Sequence, residues 1–209
     1  MNKANDDLDA VYALKTAEDN RRHYDGWAET YDSQFVEEMD YRLPERVAEA
    51  FAALGPDGPV LDVGAGTGLV GVRLAELGVG PVDGTDISPG MLAVAADKEV
   101  YAGVFEGDLL GRLPVADGAY GSAVSAGTFT NGHVGPDGID EVLRIVRKGG
   151  LIVLSINGEH WEKAGFRAKF EALDHKIDAF RLQEVRYYGD NATGAHASDT
   201  GWIAIFRRR

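Results

Sequence analysis

The chain of 209 residues contains no cysteine, which excludes a disulfide framework and a thiol nucleophile. It is also poor in positive charge: 21 Lys and Arg stand against 34 Asp and Glu, a formal net charge of −13. Gripping a phosphate backbone needs clustered cations that displace counterions, so nucleic acid is a poor partner and a small molecule a better one. The one basic cluster, Arg207-Arg208-Arg209, reads as a solvated tail without a function. No stretch approaches the roughly eighteen apolar residues of a membrane span, so no membrane partner is expected. Met1 to Lys15 carry Asp6, Asp7 and Asp9 where a signal peptide has a basic start and an apolar run, so a cytoplasmic protein is expected. His23, His175 and His196 have no paired cysteine or closely spaced acid, and no metal is predicted. Repeats, low-complexity tracts and composition shifts are all lacking. A single domain over 1–209 follows, with a helical cap over about 1–54 and a core over 55–209.

What is there alternates between strand and helix patterns. Leu8, Val11, Tyr12 and Leu14, and later Val47, Ala48, Phe51 and Leu54, form apolar stripes at helical spacing. Val60 to Val63 is a short apolar run of the kind buried in a parallel sheet, and Leu69 to Leu77 is a helix that Gly78 ends. Further strands are predicted over Pro81–Asp86, Tyr101–Phe105, Tyr120–Ser125 and Leu151–Ile156. Helices fall between them after Ser88-Pro89 and over Ile139–Val146. A helix near Trp161–Leu173 precedes Leu182–Tyr188 and Trp202–Phe206, a closing pair of antiparallel edge strands around a polar loop from Gly189 to Gly201. The alternation implies an α/β fold on a parallel sheet.

The glycines after the first strand carry the chemistry. Gly64, Gly66 and Gly68 remove side chains where a strand turns into a helix, so a ligand can lie against the backbone. Their spacing is GxGxG, preceded by Asp62, whereas a pyrophosphate site usually shows GxGxxG. A carboxylate there would repel a pyrophosphate but tolerates a cation. Asp86 ends the second predicted strand, where a carboxylate accepts both hydrogen bonds of a ribose diol; the other reading is a helix cap. Asp108 follows the third strand, either as an acceptor for an adenine amino group or as an ordinary loop acid.

Taken in order, these segments resemble the class I S-adenosylmethionine-dependent methyltransferases over about residues 20 to 209. Val60 to Gly68 looks like their first motif, Gly84 to Leu92 like the second, Gly107-Asp108-Leu109 like the third, and Leu143 to Leu151 like the segment before their fifth strand. Tyr24-Asp25-Gly26-Trp27-Ala28-Glu29-Thr30-Tyr31-Asp32 is similar to a signature of one subgroup, which includes the Williams–Beuren-region methyltransferase-like proteins. The resemblance implies a Rossmann-like, mostly parallel sheet of order 3-2-1-4-5-7-6, with strand seven antiparallel, helices on both faces and an N-terminal helical cap. It implies S-adenosylmethionine as cofactor. The contacts would fall on Asp62, Gly64, Ala65, Gly66, Gly68, Asp86, Ile87, Met91, Gly107, Asp108 and Leu109, and on Tyr24 and Tyr31 from the cap. The activity implied is methyl transfer to oxygen, nitrogen or carbon of a small metabolite. The alternatives are a non-catalytic cofactor-binding scaffold and a nicotinamide-dependent oxidoreductase, the latter disfavoured by the glycine spacing.

The acceptor side is less defined. Methyl transfer is a displacement that needs alignment, plus a base only when the nucleophile carries a proton. His133, after the fourth strand, has the titration range of a base, and its other reading is a loop histidine bonded to backbone. Thr128, Phe129 and Asn131 are candidates for the acceptor pocket or a solvated loop, and Trp27 and Trp161 for the pocket or the core. An Asn-Pro-Pro-aromatic motif, which marks many enzymes that methylate amino groups of DNA and protein, is absent.

Overall fold

The computed structural model describes residues 10–12, 14 and 16–209. Leu8 and the three N-terminal aspartates lie outside the described residues. Helix α1, Ala17–Thr30, starts where the Thr16 side chain accepts from the Asp19 N–H at 3.1 Å, with Glu18 and Asp19 at its positive end. It runs on into a π-helical turn, Tyr31–Val36, a wider winding often associated with function. Helix α2, Leu43–Ala52, carries Pro44 in its first turn, where the missing N–H costs nothing.

A seven-stranded sheet follows: β1 Val60–Val63, β2 Val82–Asp86, β3 Gly103–Glu106, β4 Tyr120–Phe129, β5 Val146–Asn157, β6 Ile177–Arg186 and β7 Thr200–Arg208. Its order is β3-β2-β1-β4-β5-β7-β6. The strands from β3 to β5 pair in parallel, while β7 runs antiparallel to both β5 and β6. This is the order the resemblance implied, with helices around the sheet. Helices α3 Leu69–Glu76, α4 Pro89–Asp97, α5 Gly138–Ile145, α6 Gly158–Lys163 and α7 Phe166–Ala172 complete the element list.

Strand side chains alternate between two cores. Val60, Val82, Val124 and Val153 face the core shared with Val47, Phe51, Val70 and Leu74, whereas Leu61, Val63, Ile152 and Leu154 face Ile139, Val142, Trp161 and Phe166. Both faces are covered, which is why β1 is apolar at every position except Asp62.

Five local expectations are corrected. Val146 leaves the helical region (φ −87, ψ 133) and opens β5 opposite Tyr120, so α5 ends at Ile145. Gly165, at φ 87, splits the expected helix near Trp161–Leu173 into α6 and α7. Strand β7 lies inside the sheet, and of the closing pair β6 alone is an edge. Tyr187 and Tyr188 fall beyond β6 and turn back toward α2, where the Arg42 N–H donates to the Tyr187 carbonyl at 2.8 Å and Tyr41 bridges Tyr188. The terminal arginines are no solvated tail: Arg207 donates to the Gly149 carbonyl, Arg208 to those of Arg144 and Val146, and Arg209 to that of Asp174. Among the described residues no helix is long and apolar enough to cross a membrane.

Candidate active site

The sheet reverses direction of winding between β1 and β4, and an open α/β sheet offers its ligand crevice at such a point, beyond the carboxyl ends of the strands. A cavity of about 240 Å³ lies there. One end is made by the segments that follow β1, β2 and β3; the other by the cap, the loop after β4, and Tyr187 and Tyr188.

The first end is built on backbone. Gly64 turns at φ 69 so close to the end of β4 that an added Cβ would stand 2.0 Å from Thr128 Oγ1. Gly66, also left-handed at φ 53, has open space where a Cβ would be, so its backbone faces the cavity uncovered. The turn is pinned by Asp86, whose Oδ2 accepts from the Gly66 N–H and Oδ1 from the Ser88 N–H, both at 2.9 Å. Burial raises the Asp86 carboxyl above its ordinary range against the lowering effect of these amides. Ser88 meanwhile caps α4, accepting from the Met91 N–H at 3.0 Å.

Asp62 lies beneath this turn, fully buried and away from the cavity wall. Its Oδ2 accepts from Tyr101 Oη at 2.6 Å, and its Oδ1 has no hydrogen-bond partner among the described residues. Desolvation pushes its carboxyl up to about 7, with the Tyr101 hydrogen bond pulling the other way. Tyr101 reaches Asp62 only because Gly71 lacks a side chain: a Cβ there would meet the tyrosine ring at 2.4 Å.

The cap is stitched to this end by the two aspartates of the tyrosine–tryptophan signature. Asp25 Oδ1 accepts from Ser88 Oγ at 2.7 Å and from the Gly90 N–H at 2.9 Å, which holds its carboxyl below the usual range. Asp32 accepts from Thr67 Oγ1 and Lys98 Nζ, each at 2.6 Å. Neither was singled out from the sequence, although their spacing of seven, two helical turns, puts them on one face and was a usable signal.

At the other end, Tyr24 and His133 meet across the cavity, Oη to Nε2 at 2.9 Å. Desolvation lowers His133 to about 4, partly offset by the bond to the Asn131 carbonyl. Asn20 ties α1 to the same loop by donating to the Gly132 carbonyl at 2.8 Å, and an added Cβ at Gly132 would stand 2.7 Å from the Val11 carbonyl.

Of the expected cofactor residues, Gly64, Ala65, Gly66, Asp86, Ile87, Met91, Gly107, Asp108, Leu109, Tyr24 and Tyr31 line the cavity. Asp62 and Gly68 do not: Gly68 serves as the left-handed entry to α3, at φ 92. Asp108 also closes a local turn, accepting from the Leu110 N–H at 2.9 Å. Of the acceptor candidates, Thr128, Phe129 and His133 are wall residues, and three are corrected. Trp27 packs among Tyr24, Tyr31 and Phe35 in the core, Trp161 stacks on Phe166 and Phe170, and Asn131 turns its amide outward to Glu159 at 2.9 Å. In their place stand Tyr12, Asn20, Tyr41 and Ser155, which sequence reasoning missed because nothing local distinguishes a wall residue from a core residue.

The Gly66 cradle, the half-buried Asp86 acceptor and the uncovered walls leading away from them suit a nucleoside-bearing ligand laid along the turn, with a second ligand beyond it. A family model described as a methyltransferase domain matches residues 60–150. The chain is 32% identical over 152 residues to human methyltransferase-like protein 27, covering 70% of this chain and 61% of that protein. It is 30% identical over 198 residues to the demethylmenaquinone methyltransferase of Mycobacterium marinum, covering 87% and 84%. It spans only 48% of the corresponding protein of Beutenbergia cavernae. Among solved structures, magnesium protoporphyrin IX methyltransferase from Synechocystis, with S-adenosylmethionine bound, shares the fold at a TM-score of 0.65 and 18% identity, covering 93% of this chain and 98% of that one.

Proposed function

The chain belongs to the class I S-adenosylmethionine-dependent methyltransferases, and on that premise we propose that it transfers a methyl group to a small molecule held in the chamber beside Tyr24 and His133. The observation that carries this reading is the continuity of the cavity from the Gly66 backbone to the Tyr24–His133 pair. The family's cofactor, when bound, supplies an electrophilic methyl group on a sulfonium.

The residues of the chain do the rest. Asp86 holds the glycine turn open and keeps lone pairs for a ribose diol, while the Gly66 backbone lets the ligand approach closely. Asp108 and Leu109 flank the place for an adenine ring. Asp62, beneath the turn, makes no contact with the cavity and instead accepts from Tyr101, whose hydroxyl also accepts from the Gly71 N–H of α3. Asp25 and Asp32 fasten α1 and the π-helical turn over the groove, and so bring Tyr24 and Tyr31 to its mouth and keep water from it.

A small acceptor fits the net charge of −13, which works against nucleic acid. It is also in keeping with the relatives named for a quinone and a porphyrin. We place the activity in the cytoplasm and in one folded domain as part of the same proposal. Calorimetry with S-adenosylhomocysteine tests the cofactor assignment: saturable binding is expected, and binding of NADH without a response to S-adenosylhomocysteine overturns it. Incubation of metabolite extracts with methyl-labelled cofactor, read by mass spectrometry, tests the acceptor class. A label found only in nucleic acid or protein would sink it.

A further inference from the structure

Tyr24 and His133 come from α1 and from the loop after β4, and the second bond of the imidazole decides what the pair can do. His133 Nδ1 lies 2.9 Å from the Asn131 carbonyl oxygen, which only accepts. Nδ1 therefore carries the ring proton, and in the neutral ring Nε2 is left as an acceptor. The hydroxyl hydrogen of Tyr24 then points at Nε2, so its oxygen offers only lone pairs to a ligand. The chamber at this spot asks for a hydrogen-bond donor.

The surroundings narrow the ligand further. Among the described residues no Lys or Arg lines the cavity, and its only wall carboxylates, Asp86 and Asp108, belong to the cofactor end. The protein itself therefore offers an anionic acceptor no cation, and only the sulfonium of the bound cofactor could offset the loss of its water. Tyr24, Tyr31, Phe35, Tyr41 and Tyr188 supply ring faces instead. Burial keeps the Tyr24 phenol protonated, with Tyr41, Asp86 and Tyr12 adding to the effect. His133 faces His23 and His160 as further ionisable neighbours, both of which disfavour its charged form. The pair is uncharged at rest.

Resting on the reading of the site given above, we propose that the acceptor is an uncharged ring compound bearing a hydroxyl, whose proton passes to Tyr24 Oη as Tyr24 passes its own to His133 Nε2. A hydroxyl needs such a route, because its oxygen is a weak nucleophile until the proton leaves, whereas a neutral amine already has its lone pair free. The bond that forms joins the hydroxyl oxygen to the methyl carbon; the bond that breaks is sulfur to carbon, and its electron pair stays on sulfur. The proton ends on Nε2. The positive charge lost at sulfur reappears on the imidazolium, so the buried chamber keeps its total charge, and the desolvation that keeps His133 neutral beforehand is offset at the moment of transfer. Tyr24 is the catalytic residue in this scheme, and His133 is a positioning residue that takes the proton at the end.

The test combines nitrogen-15 NMR of histidine-labelled protein with calorimetry of three probes, 2-naphthol, 2-methoxynaphthalene and 2-naphthoate, on protein saturated with S-adenosylhomocysteine. His133 is expected to show a protonated Nδ1 and a hydrogen-bonded Nε2, and Tyr24→Phe should move the Nε2 resonance toward that of a free acceptor. 2-Naphthol should bind about tenfold more tightly than either other probe, the factor set by one lost hydrogen bond, and Tyr24→Phe should erase its advantage over 2-methoxynaphthalene. A protonated Nε2, equal affinity for 2-naphthoate, or a preference for 2-naphthol that survives Tyr24→Phe each overturns the proposal. Failure to bind S-adenosylhomocysteine would instead overturn the reading of the whole site, so the two failures are distinct.

Discussion

The two ends of the cavity are built in different ways. The cofactor end is assembled from three short segments, each directly after a strand, and its geometry is set by backbone amides converging on one carboxylate, that of Asp86. The acceptor end is assembled from side chains of the cap, the loop after β4 and the stretch after β6, held by aromatic contacts such as Tyr41 with Tyr188 at 5.6 Å and by single hydrogen bonds such as Asn20 to Gly132. A site made of backbone demands glycine, a capping residue and an acid at fixed places. A site made of side chains uses the residue types that fill any core.

The contrast predicts opposite electrostatic signatures, and the largest effect tests them together. The folded state keeps Asp62 protonated up to about pH 7, while the unfolded chain loses that proton near 3.8, so this group lowers stability as pH rises between those values. His133 is neutral in the fold down to about 4 but charged in the unfolded chain below 6.5. Its contribution is therefore full above 6.5 and is lost as pH falls toward 4. The two slopes oppose each other. Relative to wild type, Asp62→Asn should gain about 4 kcal/mol between pH 4 and 7, and His133→Asn should lose about 3 kcal/mol between pH 4 and 6.5. Urea unfolding at stepped pH measures both, and two parallel lines would dissolve the contrast.

Next in size is Asp86→Ala, which leaves the Gly66 and Ser88 amides without their acceptor. S-adenosylhomocysteine affinity should fall about a hundredfold, as expected for losing charge-assisted bonds at a half-buried site. Calorimetry reads this directly, and a change under threefold would mean that Asp86 only caps a helix. A smaller effect is expected from Gly66→Ala, whose methyl group projects into open cavity space at a left-handed residue. About 1 kcal/mol of stability should be lost to the backbone, together with about tenfold in S-adenosylhomocysteine affinity. If thermal unfolding shifts while affinity holds, the cradle lies elsewhere.

The smallest effect sharpens the acceptor end. Asn131→Ala removes an exposed bond to Glu159 but keeps the carbonyl that fixes His133. Stability should change by less than about 0.5 kcal/mol, and acceptor turnover by less than about twofold. A loss comparable with that of His133→Asn would put the Asn131 side chain back in the pocket.

The sequence was informative where chemistry is local. The strand order came with the ordered motifs, and strand β1, the glycine turn and the Ser88-Pro89 helix start all sit where their residues point. The element ends moved wherever a tertiary partner intervened. Val146 pairs with Tyr120 rather than extending a helix, and the terminal arginines find carbonyls on α5, β5 and the segment after α7.

By itself, then, the sequence determined the fold class and pointed to the glycine turn, because a left-handed turn against Thr128 favours glycine and a strand buried on both faces favours apolar residues, with Asp62 the exception in β1. Only the tertiary structure decided the acceptor end. Tyr24, Trp27 and Tyr31 share one helical stripe, yet Trp27 is in the core and both tyrosines are in the wall. The difference is the rotation of α1 against α4, fixed by Asp25 on Ser88 and Gly90 and by Asp32 on Thr67 and Lys98. Spacing says which residues share a face, but contacts from distant parts of the chain say what that face meets.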